Sequence, residues 1–371
     1  MGGIKVVEAT AKQHWKEFLE LPYRLYCADP CWVPPLRMAV KELLDTKKHP
    51  FYANAEMACF LAQQDNRTVG RIAAIVDKNF NRFHEDNVGF FGFLETIDSQ
   101  PVADALLGAA RQWLQAKQVR AIQGPMNPSS NYECGMLVDG FDSSPFVMMT
   151  YNPPYYPQLM ERAGFRKAMD LYAYMSSPTA VSKGKVNRVA GMALKKNGVR
   201  VRPIDMKRYD EEVEAVWQVY NSAWSRNWGF VPMTKDEFLL QGKEMKQILK
   251  PDLVLIGEVG DRVVGFALAL PDINQALKPA GGNLFPFGLF KILYYQRLVR
   301  NLRVVALGVV EEYRTAGVAA GFYAALIENA RRLGYKDCEM SWILEDNVLM
   351  NRSLEALGAK RYKTYRIYEW N

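Results

Sequence analysis

Residues Arg314-Thr315-Ala316-Gly317-Val318-Ala319 form an R-x-x-G-x-A pattern between an apolar run, Val304–Val309, and a long amphipathic stretch from Val318 to Leu333. The run reads as a buried strand and the stretch as a helix, so the pattern occupies a strand-to-helix turn. Small residues at 316, 317 and 319 let a ligand approach the backbone. The first N–H groups of a helix have no intrahelical partner, and the helix dipole adds partial positive charge there. Such a turn suits a pyrophosphate. Taken alone, it is equally an ordinary polar connection.

The remaining chemistry is sparse. Three histidines, His14, His49 and His84, all lie in the first hundred residues, so a histidine-based nucleophilic triad would have to be built there. Five scattered cysteines, Cys27, Cys31, Cys59, Cys134 and Cys338, argue against a disulfide framework and for a reducing compartment. No histidine pair completes the Cys27/Cys31 spacing, and no metal site is expected. The 371 residues exceed one comfortable core and predict two domains. A net charge of +7 favours anionic partners. The charge is spread along the chain without a dense basic tract, which argues against nucleic acid. MGGIKVVEAT has no long apolar core, so no secretory signal is expected, and no apolar run is long enough to span a bilayer. A cytoplasmic protein follows.

Periodicity then orders the elements. Trp15–Leu21 predicts a helix stopping at Pro22, and another helix starts near Leu36. Cys59–Gln63 and Thr68–Val76 predict a hairpin. Next come a strand Val88–Ile97, a helix Ala103–Gln118, a strand Arg120–Gln123, a strand-like Phe146–Tyr151, a helix ending at Gly164, and a strand Leu171–Met175. After a Ser/Lys/Gly-bearing linker the order repeats: helix Asp210–Arg226, hairpin Leu253–Val259 and Arg262–Leu270, strand Val304–Val309, helix Val318–Leu333, strand Asp337–Ile343, helix Asn347–Leu357, strand Tyr365–Glu369. Val69-Gly70 and Val264-Gly265 mark the two hairpins, and Ala163-Gly164 and Leu357-Gly358 mark the two helix ends, at nearly the same offset. This reads as an internal duplication, with domains at 1–178 and 201–371 and a linker at 179–200.

A hairpin, a strand entering R-x-x-G-x-A, a helix, a strand, and a helix ending in Leu-Gly resembles the GNAT acyl-CoA N-acyltransferases. EDNVLMNRSLEALGAKRYKTYRIYE, from Glu345, continues that resemblance. It implies an α/β (α+β) fold of tandem GNAT-like domains, each a mixed, mostly antiparallel sheet flanked by helices. It also implies acyl-CoA as cofactor, with no metal. Leu307, Val309 and Arg314, Thr315, Ala316, Gly317, Val318 and Ala319 would hold CoA, helped by Asn347 and Asn351. In the family, the strand before the turn splays from the next one, and the pantetheine arm enters the gap. The first copy reads ETIDSQPVADAL where the turn should stand, so CoA is expected in the second copy alone. GPMNPSSN, GFD, YNPPYY and EDN further resemble the bacterial group containing acyl-CoA-dependent ceramide synthases, which acylate the amine of a long-chain base.

Amine acylation needs a proton acceptor, an amine in reach of the thioester, and a stabilised thiolate. Candidate bases are Asp272, Glu345 and Asp346; each is equally a turn or cap residue, Asp346 most of all. The family's usual acid, a tyrosine in the last helix, is Leu354 here, so Tyr151, Tyr362, Tyr365 or water must substitute. Asn127, Asn131, Asn152 and Glu95 are candidates for substrate contact. The stretch 283–303 holds Phe285, Phe287, Phe290, Tyr294 and Tyr295 among aliphatic residues, followed by Arg297, Arg300 and Arg303. It suits an interfacial helix, the wall of a lipid tunnel, or a buried helix. The expectation is therefore an acyl-CoA-dependent N-acyltransferase of a primary amine, a long-chain base in bacterial lipid synthesis, with peripheral contact at the inner membrane. The alternatives are an acetyltransferase of a small polar amine and a non-catalytic GNAT-like binding protein.

Overall fold

Asp65 and Asn66, both at positive φ, close one hairpin in two residues, and Gly260-Asp261, with Gly260 at φ 58°, closes another in two. Two-residue turns of this kind match the right-handed twist of paired strands. These hairpins stand at the same point of two similar units. The computed structural model describes residues 3–179, 191 and 194–371. Unit 1 holds Met1–Leu171, Leu277–Ile292 and Lys363–Asn371; unit 2 holds Tyr172–Ala276 and Leu293–Tyr362.

In unit 1, strands β1 (Lys5–Glu8), β2 (Ala55–Gln64), β3 (Arg67–Asp77) and β4 (Val88–Thr96) pair antiparallel in that order. β4 then pairs parallel with β5 (Ala121–Gly124). β6 (Met126–Asn127) and β7 (Glu133–Cys134) form a small ribbon, followed by β8 (Met136–Asp139) and β9 (Arg166–Ser176), whose last residues, from Tyr172, belong to unit 2. The helix Gln100–Gln115 buries Val102, Leu106, Leu107, Ala110 and Leu114 against Ile72, Ala74 and Phe91.

Unit 2 repeats the plan. β10 (Val199–Pro203), β11 (Val254–Val259), β12 (Arg262–Pro271) and β13 (Asn301–Val309) pair antiparallel, and β13 pairs parallel with β14 (Asp337–Leu344). Helices Tyr209–Ala223, Lys235–Met245, Val318–Arg332 and Val348–Ala356 accompany them. β15 (Lys360–Trp370) belongs to unit 1 from Lys363 onward, where it pairs antiparallel with β5 and β8.

The repeated glycines have a packing reason. A Cβ on Gly70 would lie 2.6 Å from Leu106 of the following helix, and one on Gly265 would lie 3.2 Å from Phe322 of its counterpart. Gly164 and Gly358 both take positive φ, 85° and 82°, just past a helix end, the position where a left-handed residue closes the last turn.

Several expectations change. Pro22 does not end the first helix, which runs Lys12–Leu25 with Pro22 inside it. A proline there leaves the carbonyl four residues back without its donor. Here Arg71 Nη1 donates to that carbonyl, Phe18 O, at 2.6 Å. Phe146–Tyr151 is not a strand; Met148 takes a positive φ of 60°, which breaks the extended run. The helices Lys78–His84 and Lys235–Met245 and the strands β1 and β10 were not anticipated. Of the expected linker, residues 180–190, 192 and 193 lie outside the described residues, and Val199 and Arg200 already belong to β10.

Arg71 also lies 3.7 Å from Glu95, with both side chains largely shielded, at 7% and 14% exposure. Replacing Arg71 with Met leaves the Phe18 carbonyl and a carboxylate unpaired. A loss of about 3–5 kcal/mol in chemical denaturation is expected; a loss under about 1 kcal/mol would show the contact to be dispensable.

Candidate active site

The parallel ladder of unit 2 is short. It pairs Asn301–Val304 with Asp337–Met340 and stops, although β13 continues to Val309 and β14 to Leu344. Val304, Val305, Ala306 and Leu307 are only half-buried, whereas Leu302 and Arg303 before them and Gly308 and Val309 after them are buried. Trp342 and Ile343 on β14 are half-buried too. Past that rung β13 runs on for five residues, about 17 Å at about 3.3 Å each, and β14 for four, and the space between them is the slot. A bulge lies beside its closed end: Leu268 pairs with Ala306 and Ala269 with Val304, so Val305 has no residue opposite on β12.

The slot leads to the R-x-x-G-x-A turn. Gly317 is the N-cap of Val318–Arg332 at φ 80°, a left-handed conformation that a side chain would strain. The first intrahelical bond runs from Gly321 N–H to Gly317 O, so the N–H groups of Val318, Ala319 and Ala320 precede the ladder. Small Ala316 and Ala319 flank them. A glycine-shaped turn, three amide donors at a helix start, and an open slot behind them fit a CoA pyrophosphate and its pantetheine arm. Thr315 and Arg314 are exposed on this turn. One Arg314 amine donates to Ala223 O at 2.8 Å, at the end of Tyr209–Ala223, where a cation meets the negative end of the helix dipole.

The two asparagines after β14 are anchors. Asn347, not Asp346, is the N-cap of Val348–Ala356, its Oδ1 accepting from Met350 N–H at 3.2 Å. Asn351 is buried; its Nδ2 donates to Leu344 O and Glu345 O, and its Oδ1 accepts from Tyr174 OH at 3.0 Å. Leu354, at the position of the missing tyrosine, is buried with Tyr174 and Ala359. Glu345 follows β14 at the turn end of the slot, half-buried. Asp272 is buried beyond the opposite end, its N–H donating to Asn301 O at 2.9 Å.

The corresponding place in unit 1 is filled. β4 and β5 pair over Val88–Phe90, and the chain then closes in: Asn127 Oδ1 accepts from Phe93 N–H at 2.7 Å. A Cβ on Gly92 would lie 1.7 Å from Met126 O. Asn127 thus holds its own backbone. Asn152 does the same, bonding both the N–H and the carbonyl of Leu137 on β8. Glu95 Oε2 accepts from Tyr26 OH at 2.6 Å and from Tyr156 OH at 2.9 Å. Burial lifts its carboxyl above the usual carboxylate range, against the pull of Arg71. Tyr151 OH donates to Asp29 at 2.8 Å, and burial together with that carboxylate raises its phenol further. Tyr26 and Asp29 line a cavity of about 310 Å³ in this unit, with Trp32, Arg37 and Lys278. That cavity was not foreseen, because its walls come from segments far apart in the chain. Among the described residues, no group of three His, Cys, Asp or Glu side chains is placed to hold a metal ion.

Against known proteins, the chain is 36% identical to the bacterial ceramide synthase of Caulobacter vibrioides, over 99% of this chain and 97% of that one. It is also 36% identical to protein YghO of Escherichia coli, over 96% and 93%. The chain belongs to the bacterial ceramide synthase family. Its fold is that of tandem GNAT proteins. One from the clavulanic acid biosynthesis pathway superposes with a TM-score of 0.58 at 12% identity, covering 99% of this chain and 98% of that one. The glucosamine N-acetyltransferase region of a fungal multi-domain β-N-acetylglucosaminidase gives 0.59 at 13% identity, this chain spanning 38% of it. No protein-family model matches the chain. The family is one of N-acyltransferases, and this member carries one open strand gap and one closed gap.

Substituting Gly317 with Val places a branched side chain at φ 80°, a strain of about 1–2 kcal/mol. Titration calorimetry with CoA should show affinity weakened by about tenfold or more, or about 1.4 kcal/mol, with the circular dichroism spectrum unchanged. Undiminished affinity would remove the turn from the cofactor site.

Proposed function

We propose that this protein transfers a long-chain acyl group from CoA to the primary amine of a long-chain base. The observation that carries this reading is the identity of 36% to a bacterial ceramide synthase across 99% of the chain. The slot between β13 and β14, open toward the Gly317 turn, supports acyl-CoA as the donor. Backbone amides at 318–320 hold the anionic end, and the slot walls orient the thioester arm. When bound, acyl-CoA supplies an activated carbonyl; the protein's task is placement and proton transfer.

The same reading extends to the membrane, where both lipid partners are concentrated. In the stretch 283–303, Phe285 is 81% exposed, Phe287 and Phe290 each 68%, and Tyr294 61%. The alternative of a buried helix is therefore set aside. The basic residues need one correction: Arg303 is buried and lies 3.6 Å from Glu339. Lys291, Arg297 and Arg300 are the exposed cations, and no acidic residue occurs between Asp272 and Glu311. Exposed aromatics beside cations, without a single carboxylate, suit an anionic bilayer surface. No helix among the described residues is long and apolar enough to cross a membrane.

Two measurements test the reading. Mass spectrometry of products from palmitoyl-CoA, acetyl-CoA and a long-chain base should show a preference for the long acyl chain of about hundredfold or more, since each buried methylene contributes about 0.8 kcal/mol. A preference for acetyl-CoA would return the protein to the small-amine acetyltransferases. In vesicle flotation, the protein should rise with phosphatidylglycerol vesicles and remain below with phosphatidylcholine. Phe287→Glu with Phe290→Glu should abolish flotation while changing stability by about 0.5 kcal/mol or less for each exposed site. Unchanged flotation would sink the membrane assignment and leave the acyl transfer untouched.

A further inference from the structure

At the closed end of the slot lies a polar network that the turn and its cofactor reading do not use. Arg303 on β13 and Glu339 on β14 face each other in the parallel ladder, one rung before it stops at Val304 and Met340. Glu339 is 0% exposed and Arg303 3%. Ser341, the second residue past Glu339, accepts from Arg303 Nε at 2.8 Å and donates to Glu339 Oε1 at 2.5 Å. Arg303 Nη2 also donates to Ser341 O at 3.1 Å. Tyr362 OH donates to the other carboxylate oxygen, Oε2. Tyr362 is half-buried and is the member of this network that reaches toward solvent.

A carboxylate taken wholly out of water is expensive, and a sheet of this kind is equally well held by apolar residues. The neighbouring candidates fit a proton-accepting role less well. Glu345 stands six residues further on, just past the end of β14 and about 20 Å away at the turn end. The carboxylate at the closed end is Glu339, and the Tyr362 phenol is bonded to it. Among the described residues, the groups facing it include Arg303 from β13, Ser341 from its own strand and Tyr362 from β15, with the Cys338 thiol beside it. Burial pushes that thiol up to about 12, so it stays protonated at neutral pH.

We infer that Tyr362 and Glu339 form the proton outlet of the acyl-transfer site, Tyr362 meeting the amine and Glu339 acting through it. The inference rests on the proposed acyl transfer. In the reaction, a C–N bond forms at the thioester carbon and the C–S bond breaks, its electron pair leaving on sulfur. The acceptor ammonium gives up two protons. One goes to the departing sulfur. The other passes to Tyr362 Oη as the phenolic proton moves to Glu339 Oε2, and returns to solvent by the same path. Arg303 offsets the charge of Glu339 before the transfer and remains paired with Ser341 O after it. Ser341 and Arg303 are positioning residues.

The test uses the full chain as Tyr362→Phe and, separately, Glu339→Gln, each checked for folding by circular dichroism. Palmitoyl-CoA binding by calorimetry should match wild type within about threefold, while kcat/KM falls by roughly hundredfold, the lower range for a lost acid–base group. The acid limb of the kcat/KM profile should disappear in Glu339→Gln and move to higher pH in Tyr362→Phe, because a carboxylate that loses a donor is protonated more easily. Infrared difference spectra provide a readout independent of turnover. A carboxylic C=O band appearing on acidification should be absent in Glu339→Gln and should form at higher pH in Tyr362→Phe. A kcat/KM within about threefold of wild type in either variant, or a band and profile that neither variant shifts, would overturn the inference. Wild-type protein that binds palmitoyl-CoA and acylates no amine would instead overturn the function on which it rests.

Discussion

Two adjacent parallel strands cannot keep their ladder and also admit a ligand between them. The choice made at Val304 and Met340, where pairing stops, determines most of what the second unit can do. Beyond that rung, β13 and β14 run on with no ladder between them. The bulge at Val305 turns one strand away, and the Gly317 turn puts three amide donors where the slot opens. The helix behind the turn needs no special sequence, because any helix start carries unpaired amides. The sequence supplies a residue that tolerates φ 80° and neighbours small enough not to cover them.

The first unit shows the same plan with the gap used up. Its fourth and fifth strands begin to part at the equivalent rung, and then Gly92, with no side chain, lets the Met126 carbonyl close against it. Asn127 completes the seal by taking the Phe93 amide. One glycine and one asparagine therefore close in the first unit the place that has no ladder in the second. The first unit also buries a Glu95–Tyr26–Tyr156 cluster and has a cavity walled by Trp32 and Tyr26.

Duplication was legible in the sequence because its markers are local: two hairpins of fixed turn chemistry, two glycines that a helix must approach, and two left-handed helix ends. The left-handed glycine before Val318–Arg332 was legible for the same reason. What escaped depends on contacts far apart in the chain. Pro22 reads as a helix end until Arg71 is brought to the carbonyl that Pro22 leaves open. Asn127 and Asn152 give no sign in the sequence of the backbone they hold. Arg303 reads as one of a basic cluster, yet the strand pleat turns it inward to Glu339 while Arg297 and Arg300 stay in water. Glu339 gave no signal at all, since a lone glutamate in a strand is indistinguishable from a solvent-facing one.

The last strand has a consequence for how the protein comes into being. β15 lies against β5, where Gln123 and Glu369 hydrogen-bond across 246 residues of chain. On the ribosome, the first unit emerges early, and the edge of β5 stays uncovered until Tyr368–Trp370 have been made. That exposed edge, next to apolar β4, is the vulnerable point of biogenesis. It also means that the gene cannot be divided at its midpoint into two working halves.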